Sequence, residues 1–285
     1  PGTALSDEVL RDASNIYITL LHETNDGTFF LAGADISTGE AFYASYAGET
    51  AAQQILDELY RRMTAELLMT ESFSLADTVR AFLTQRLPHC AVSVTDAVTK
   101  DELLAQHFPA AEIPADAGAR IAVATLLGYL HDTVMADLSQ INRLSFLDTR
   151  ETMQLDTYTL RNLEITRSLR DGGKKNTLFD VLDFTRTPMG TRLLKSWLEH
   201  PLLTPHRIDA RLGAVAELVE NAPLRGSLRE HLRSVYDFER LLTRIETQTA
   251  NARDLVALRV SLAALPAVRA ALGSAASRLL VRATA

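Results

Sequence analysis

Short apolar runs alternate with turn-forming residues over the first part of the chain, a pattern typical of β-strands. Strand formers dominate residues 15–21, 28–35 and 40–46, and the turns between them are Asn25-Asp26-Gly27 and Ser37-Thr38-Gly39. An Asn-Asp-Gly turn between two apolar runs is a strong hairpin signal. The pattern therefore predicts an antiparallel meander of three strands.

The spacing of apolar residues then changes from two to about 3.6, the period of a helix. Residues 51–59 and 75–87 have helical patterns, and each is followed by a short apolar run, at 66–70 and 91–95. The predicted order is β-β-β-α-β-α-β. This order predicts an α/β unit with one mixed, five-stranded sheet.

Strand signals stop after a proline-bounded stretch. Pro109 and Pro114 bracket a plausible linker, and beyond it apolar residues recur only at helical spacing. The helical stripes begin at Val123, Leu193, Ile208, Tyr236 and Leu255. The expected fold class is therefore α/β over residues 1–115 and all-α over residues 116–285.

The single tryptophan falls in one of these stripes. Trp197 shares it with Leu193 and Leu194, while Arg192 and Lys195 fall on the opposite face. The pattern predicts a Trp197 side chain in the core, whose truncation to alanine would cost about 3–5 kcal/mol.

Charge is distributed unevenly about the net value of −7. Residues 1–115 carry 6 basic and 17 acidic residues, whereas residues 116–285 carry 23 and 19. The first part would repel a phosphate backbone, and the second has no dense basic stripe. We therefore expect DNA binding by the chain to be weak, salt-sensitive and blind to mismatches.

Composition and termini narrow the class of protein further. Cys90 is the only cysteine, which excludes an intramolecular disulfide and indicates a reducing compartment. No apolar run approaches 18 residues, so no membrane helix is expected. The first residues, Pro1-Gly2-Thr3, have neither an initiator methionine nor a signal peptide and suggest part of a longer chain.

Two features of the sequence could suggest a nucleotide-binding or a metal-binding site, but neither has the residue spacing that such a site needs. Gly172-Gly173-Lys174 resembles a phosphate-binding loop, but Ser168 stands where that motif needs glycine, and Lys175 where it needs serine or threonine. We expect a helix-ending glycine turn with a solvated lysine pair. The seven histidines include no pair at metal-binding helical spacing. No ATP site or metal site is expected.

A sheet that opens with three antiparallel strands resembles the ribonuclease H fold, whose nucleases hold two metal ions on carboxylates of adjacent strands. Here the first strand carries no acid, and Asp35 is equally well explained as a turn former. A metal-dependent nuclease is the alternative function, to be tested by magnesium-dependent duplex cleavage. We expect no catalytic, cofactor-binding or metal-ligating residue.

Two stretches of the sequence carry specific motifs that composition and periodicity do not describe. Residues 153–165 resemble the LD..T.RNLE signature of the MutS family of DNA mismatch-repair proteins. A second block is similar to that family's TPMG.R.L..WL motif, through Thr187, Pro188, Met189, Gly190, Arg192 and Trp197. Pro1-Gly2-Thr3 and residues 35–40 resemble the family's connector domain, so the resemblance covers essentially the whole chain.

The resemblance implies a ribonuclease H-like connector domain at 1–115 and the first part of a core and lever domain at 116–285. It implies a segment without catalysis that relays conformational change between mismatch-binding and ATPase domains. The full-length family protein uses ATP and magnesium, binds mismatched double-stranded DNA, and is a homodimer. It works with MutL in the bacterial cytoplasm, on the nucleoid when bound to DNA.

The second block also has a purely structural interpretation. Thr187 can cap a helix that Pro188 begins, and Gly190 allows close backbone approach. A well-capped core helix and a relay element both remain open.

The resemblance also implies that the connector docks MutL, as it does in the family, and residues 100–108 are the favoured segment. Glu102 and Gln106 would share one helical face there. Leu103, Leu104 and Phe108 would equally suit a packing helix that leaves this face in water.

Overall fold

The computed structural model describes residues 15–133, 138–148 and 150–283. The strands are β1 (Ile18–Glu23), β2 (Phe29–Asp35), β3 (Glu40–Tyr46), β4 (Glu66–Thr70), β5 (Ala91–Thr95) and β6 (Arg143–Phe146). The helices are α1 (Ala51–Arg62), α2 (Ala76–Arg86), α3 (Asp101–His107), α4 (Ala117–Thr133), α5 (Thr157–Asn162), α6 (Leu178–Leu182), α7 (Pro188–Glu199), α8 (Pro205–Glu220), α9 (Ala222–Leu232), α10 (Phe238–Glu246), α11 (Ala252–Leu272) and α12 (Arg278–Arg282). The tripeptide Pro1-Gly2-Thr3 lies outside the described residues.

The predicted antiparallel meander is confirmed. β1 pairs with β2 and β2 with β3, and the two turns place Gly27 and Gly39 at φ +80° and +74°, a region that favours glycine. Asp35 accepts hydrogen bonds from the Ser37 backbone N–H and hydroxyl, as expected of a turn former. β4 and β5 then extend the sheet in parallel beside β1.

The sheet has six strands in the order β5-β4-β1-β2-β3-β6, so the expectation of five was wrong. β6 pairs in parallel with β3 and lies within the region expected to be all-α. Of its four side chains only Leu144 is buried. A strand this short, with one buried residue, has too little alternation to be recognised from sequence.

Helices cover both faces of the sheet and divide its core in two. On one face α3 and α4 pack against residues such as Ile18, Leu20 and Phe30. On the other, α1 and α2 pack against residues such as Leu21 and Phe42. The stretch containing Pro109 and Pro114 therefore does not separate α4 from the sheet.

Contacts divide the chain into two compact units, at positions that differ from the expected boundary at 115. The sheet unit contains the described residues up to Asp148, together with Leu155–Thr159 and Leu242–Gln248. The helical unit contains the rest of the described chain. The helix α4 and the strand β6 thus belong with the sheet because they complete its core and its edge.

The helical unit has a small core and much exposed apolar surface. Leu224 and Leu228 of α9 pack with Leu272 of α11.

In the part of the chain that the structure describes, α11 is the one helix long and apolar enough to span a membrane by length and composition. No such helix was expected from the sequence, because Arg259 and Arg269 interrupt the apolar run of α11. Length and composition do not distinguish such a span from a helix that packs against protein.

Candidate functional site

Leu155 and Thr157, within the first motif stretch, are bound by side chains of α1. The buried carboxylate of Asp57 accepts hydrogen bonds from the Thr157 backbone N–H at 2.8 Å and from its hydroxyl at 2.7 Å. Arg61 donates to the Leu155 carbonyl at 2.9 Å. These bonds fix the point at which α5 begins.

Asp57 and Arg61 make this attachment beside two further charged residues of α1, and we call Asp57, Glu58, Arg61 and Arg62 the α1 clamp. Glu58 forms ion pairs with Arg61 and with Arg62, the latter at 2.8 Å. Both the Glu58 and the Arg61 side chains are 4% exposed, so these charges are compensated within the protein rather than by water.

The guanidinium of Arg62 lies among aromatic rings. It stands 4.1 Å from the ring centre of Phe42 and 5.1 Å from that of Tyr17. Burial opposes its charge, but Tyr17, Glu58 and Glu40 outweigh that effect and raise the pKa of Arg62 above its ordinary value. The Tyr17 hydroxyl in turn donates to Glu40 at 2.8 Å.

The helix α5 passes from one unit to the other along the chain. Asp156 accepts from the Thr159 backbone N–H at 2.6 Å, and this bond lowers the pKa of Asp156. Thr157 belongs to the sheet unit, whereas Leu160 is a buried residue of the helical unit. The motif therefore supplies a capped helix whose two ends lie in different units.

The second motif forms α7, and its start follows the expected capping. The Thr187 hydroxyl accepts from the Gly190 backbone N–H at 3.1 Å, and Pro188 occupies the first turn. A Cβ atom at Gly190 would lie 3.1 Å from the Thr187 hydroxyl oxygen, which is a tight contact. Met189 is half-buried in the same turn.

The Arg192 side chain is only 9% exposed and is paired within the protein. Its guanidinium donates to both oxygens of Asp237, at 2.7 and 2.8 Å, and to Glu239. Burial opposes the charge, but the two carboxylates outweigh it and raise the pKa of Arg192. A bidentate pair of this kind fixes orientation as well as position, so Arg192 anchors α7 to the start of α10.

Trp197 is half-buried, so its expected place in the core was wrong. The guanidinium of Arg211 covers its ring at 3.7 Å from the ring centre, and burial lowers the pKa of Arg211. Leu193, expected on the buried face with Trp197, is 52% exposed. The predicted helix is confirmed, but apolar spacing does not show which of its residues are covered.

The segment chosen for partner docking is the helix α3. Leu104 and Phe108 are buried against the sheet, which fits the packing interpretation. Glu102 and Gln106 are exposed neighbours on its outer face. This placement agrees with both interpretations.

The stretch Gly172-Gly173-Lys174 is not the helix-ending turn that the sequence predicted. Gly172 has φ +70° and lies in the connection between α5 and α6. Lys174 is paired with Asp183 at 2.6 Å and stands 4.6 Å from the Phe179 ring centre, so it is not simply solvated.

The remaining candidates for catalysis or metal binding are the Cys90 thiol, groups of metal-ligating side chains, and Asp35. Burial and Glu66 raise the pKa of the Cys90 thiol to about 11, which disfavours a nucleophilic thiolate. Among the described residues no group of three His, Cys, Asp or Glu is placed to hold a metal ion. Asp35 is occupied in its turn, and nothing here supports the nuclease alternative.

Comparison with known proteins agrees with both motifs. The family model for MutS domain III matches residues 158–283. The DNA mismatch repair protein MutS of Symbiobacterium thermophilum is 38% identical over 99% of this chain, which covers 33% of that relative. The proteins of the same name from Methanosarcina barkeri and Brevibacillus brevis are 37% and 38% identical over 94% of the chain, covering 32% and 30% of theirs. The chain corresponds to a segment of a MutS-family protein.

This MutS segment spans about a third of the length of the curated relatives it matches. The domain III match begins at Tyr158, one residue after the α1 clamp holds Thr157. The two anchored helices of the MutS segment, α5 and α7, are thus the residues that carry the family motifs.

The α1 clamp itself was missed by the sequence analysis. Glu58 precedes Arg61 and Arg62 by three and four residues, a spacing typical of ion pairs on a helix. That spacing was the available signal. It did not reveal that this face of α1 in the MutS segment is buried.

Proposed function

We propose that this chain is the part of a DNA mismatch repair protein that relays conformational change between a mismatch-binding and an ATPase domain. In this proposal the sheet unit is the ribonuclease H-like connector, and the helical unit is the first part of the core with its levers. The observation that supports it is the agreement with MutS proteins along 99% of the chain. The segment would have no catalysis of its own.

The relay would act through α5. The α1 clamp holds the start of this helix at Thr157, and its later residues lie in the helical unit. A short, capped helix is stiff, so a displacement at one end moves the other. In the whole protein, ATP and magnesium would bind outside this segment, and mismatched double-stranded DNA would be held mainly by other domains. A homodimer in the cytoplasm, on the nucleoid when bound to DNA, completes the proposal.

The variant Thr157→Val tests the relay in the whole protein. Valine keeps the side-chain shape and the backbone N–H bond to Asp57 but removes the hydroxyl bond, which is 2.7 Å long. We expect unchanged ATP hydrolysis without DNA and a several-fold smaller stimulation by mismatched duplex. The matched control is Thr78→Val, at an exposed threonine of α2. Equal stimulation in the two variants would show that this attachment does not carry the relay.

We further propose that MutL docks on the outer face of α3. Glu102 and Gln106 are exposed there, whereas the helix is held by buried Leu104 and Phe108. Glu102→Lys should therefore leave folding intact and reduce capture of MutL by the whole protein, because charge reversal at an interface disfavours association. Glu71→Lys, at an exposed turn, is the control. Capture that is unchanged by both Glu102→Lys and Gln106→Ala would place docking elsewhere.

A further inference from the structure

Two histidines distant in sequence meet at the end of the α3–α4 pair. His107 is the last residue of α3, and His131 lies in the last turn of α4. Their Nε2 atoms are 2.8 Å apart, and the ring centres are 5.1 Å apart. The Nε2 atoms of the two rings therefore face each other.

The tautomer of His107 follows from its second contact. Its Nδ1 atom lies 2.9 Å from the Ile141 carbonyl oxygen, which can only accept a hydrogen bond. The proton of the neutral ring is therefore on Nδ1, and the lone pair is on Nε2, facing His131. Metal-binding histidines characteristically donate their other ring N–H to a carbonyl or carboxylate in this way, which orients the ring.

The electrostatic surroundings favour a cation. Helix C-termini carry partial negative charge from carbonyl groups without helical partners. His107 and His131 bring the C-terminal turns of two helices to the same place. This is independent of the orientation of the rings, and it also points to a positively charged ligand.

We propose that His107 and His131 bind a divalent transition metal ion of the class that imidazole prefers, such as Ni²⁺, Cu²⁺ or Zn²⁺. Two metal–nitrogen bonds of about 2.0–2.1 Å, at angles between a right angle and the tetrahedral value, place the nitrogen atoms about 2.8–3.4 Å apart. The pair needs to open by at most about half an ångström, and each ring must turn so that its lone pair points at the ion instead of at the other ring. His131 then takes its other neutral tautomer, with the proton on Nδ1, and water completes the coordination.

This site was excluded at the level of sequence because the two residues are 24 positions apart and do not share a helix. It does not depend on the proposed role in mismatch repair. A metal ion bound by this pair would hold α3 against α4.

The test is a calorimetric titration of the untagged 285-residue chain with Ni²⁺ in a slightly alkaline, non-chelating buffer. We expect one bound ion and at least about tenfold weaker binding in both His107→Ala and His131→Gln. Glutamine can keep a hydrogen bond to His107, so this second variant separates loss of metal from loss of the contact. The control is His89→Ala, at an exposed histidine outside the pair.

A second readout uses Cu²⁺ and electron paramagnetic resonance. Nitrogen hyperfine splitting from two imidazoles should be present in the parent chain and in His89→Ala, and reduced to one nitrogen or none in the other two variants. No binding at millimolar Ni²⁺, or an ion retained in both pair variants, would overturn the proposal and leave the pair as a hydrogen bond only.

Discussion

Replacing Glu58 by glutamine should destabilise the sheet unit by about 3–5 kcal/mol, because it leaves buried arginine charge without compensation. Glu58 is paired with Arg61, whose side chain is 4% exposed, and with Arg62 at 2.8 Å. Glutamine keeps the volume but brings no charge. The loss should appear in urea unfolding followed by far-UV circular dichroism.

The control is Glu71→Gln, at an exposed position, for which the change should stay within about 0.5 kcal/mol. A double variant, Glu58→Leu with Arg61→Met, removes both members of one pair. It should be more stable than Glu58→Gln, because it leaves one guanidinium group, that of Arg62, without Glu58 instead of two. A Glu58→Gln midpoint equal to that of the parent would mean that water reaches the two guanidinium groups.

Replacing Phe42 by alanine is the second large effect, again about 3–5 kcal/mol of lost stability. Phe42 is 1% exposed, and its ring packs edge-on against Tyr17 at 5.6 Å between ring centres and carries the Arg62 guanidinium on its face. Truncation would leave a cavity beneath an arginine. Unfolding in urea measures the change, and Phe184→Ala, at a phenylalanine that is 71% exposed, should have little effect.

The glycine opposite this ring makes the Phe42 prediction specific. A Cβ atom at Gly33 would lie 2.2 Å from the Phe42 ring, so Gly33→Ala alone should destabilise by overpacking. In the Phe42→Ala background the same change should cost little, because the ring is gone. Additive effects of the two substitutions would contradict the packing described here.

The sequence was most informative where local signals and tertiary structure agree. The turns at Gly27 and Gly39 determine the meander because they need a backbone conformation that favours glycine. It was least informative for β6, whose four residues gain their structure only from pairing with β3. Such a strand has no local signal strong enough to be found without its partner.

The candidate site shows the same limit. Thr187 and Pro188 encode the start of α7 locally, and that prediction is confirmed. The burial of Trp197 depends on which neighbours cover the helix, and its expected place in the core was wrong. The approach of His107 to His131 depends on how two helices pack, which neither helix encodes by itself.

The pairing of β6 also has a consequence for how the chain folds. Glu40 pairs with Arg143, 103 positions further along the chain, whereas β1 to β3 close through short turns. Contacts between distant residues form late because long loops must close first. During synthesis, the outer edge of β3 therefore stays unpaired until β6 has left the ribosome. Over that interval this edge is open to wrong pairing, so the nascent chain is most vulnerable to aggregation before its sixth strand arrives.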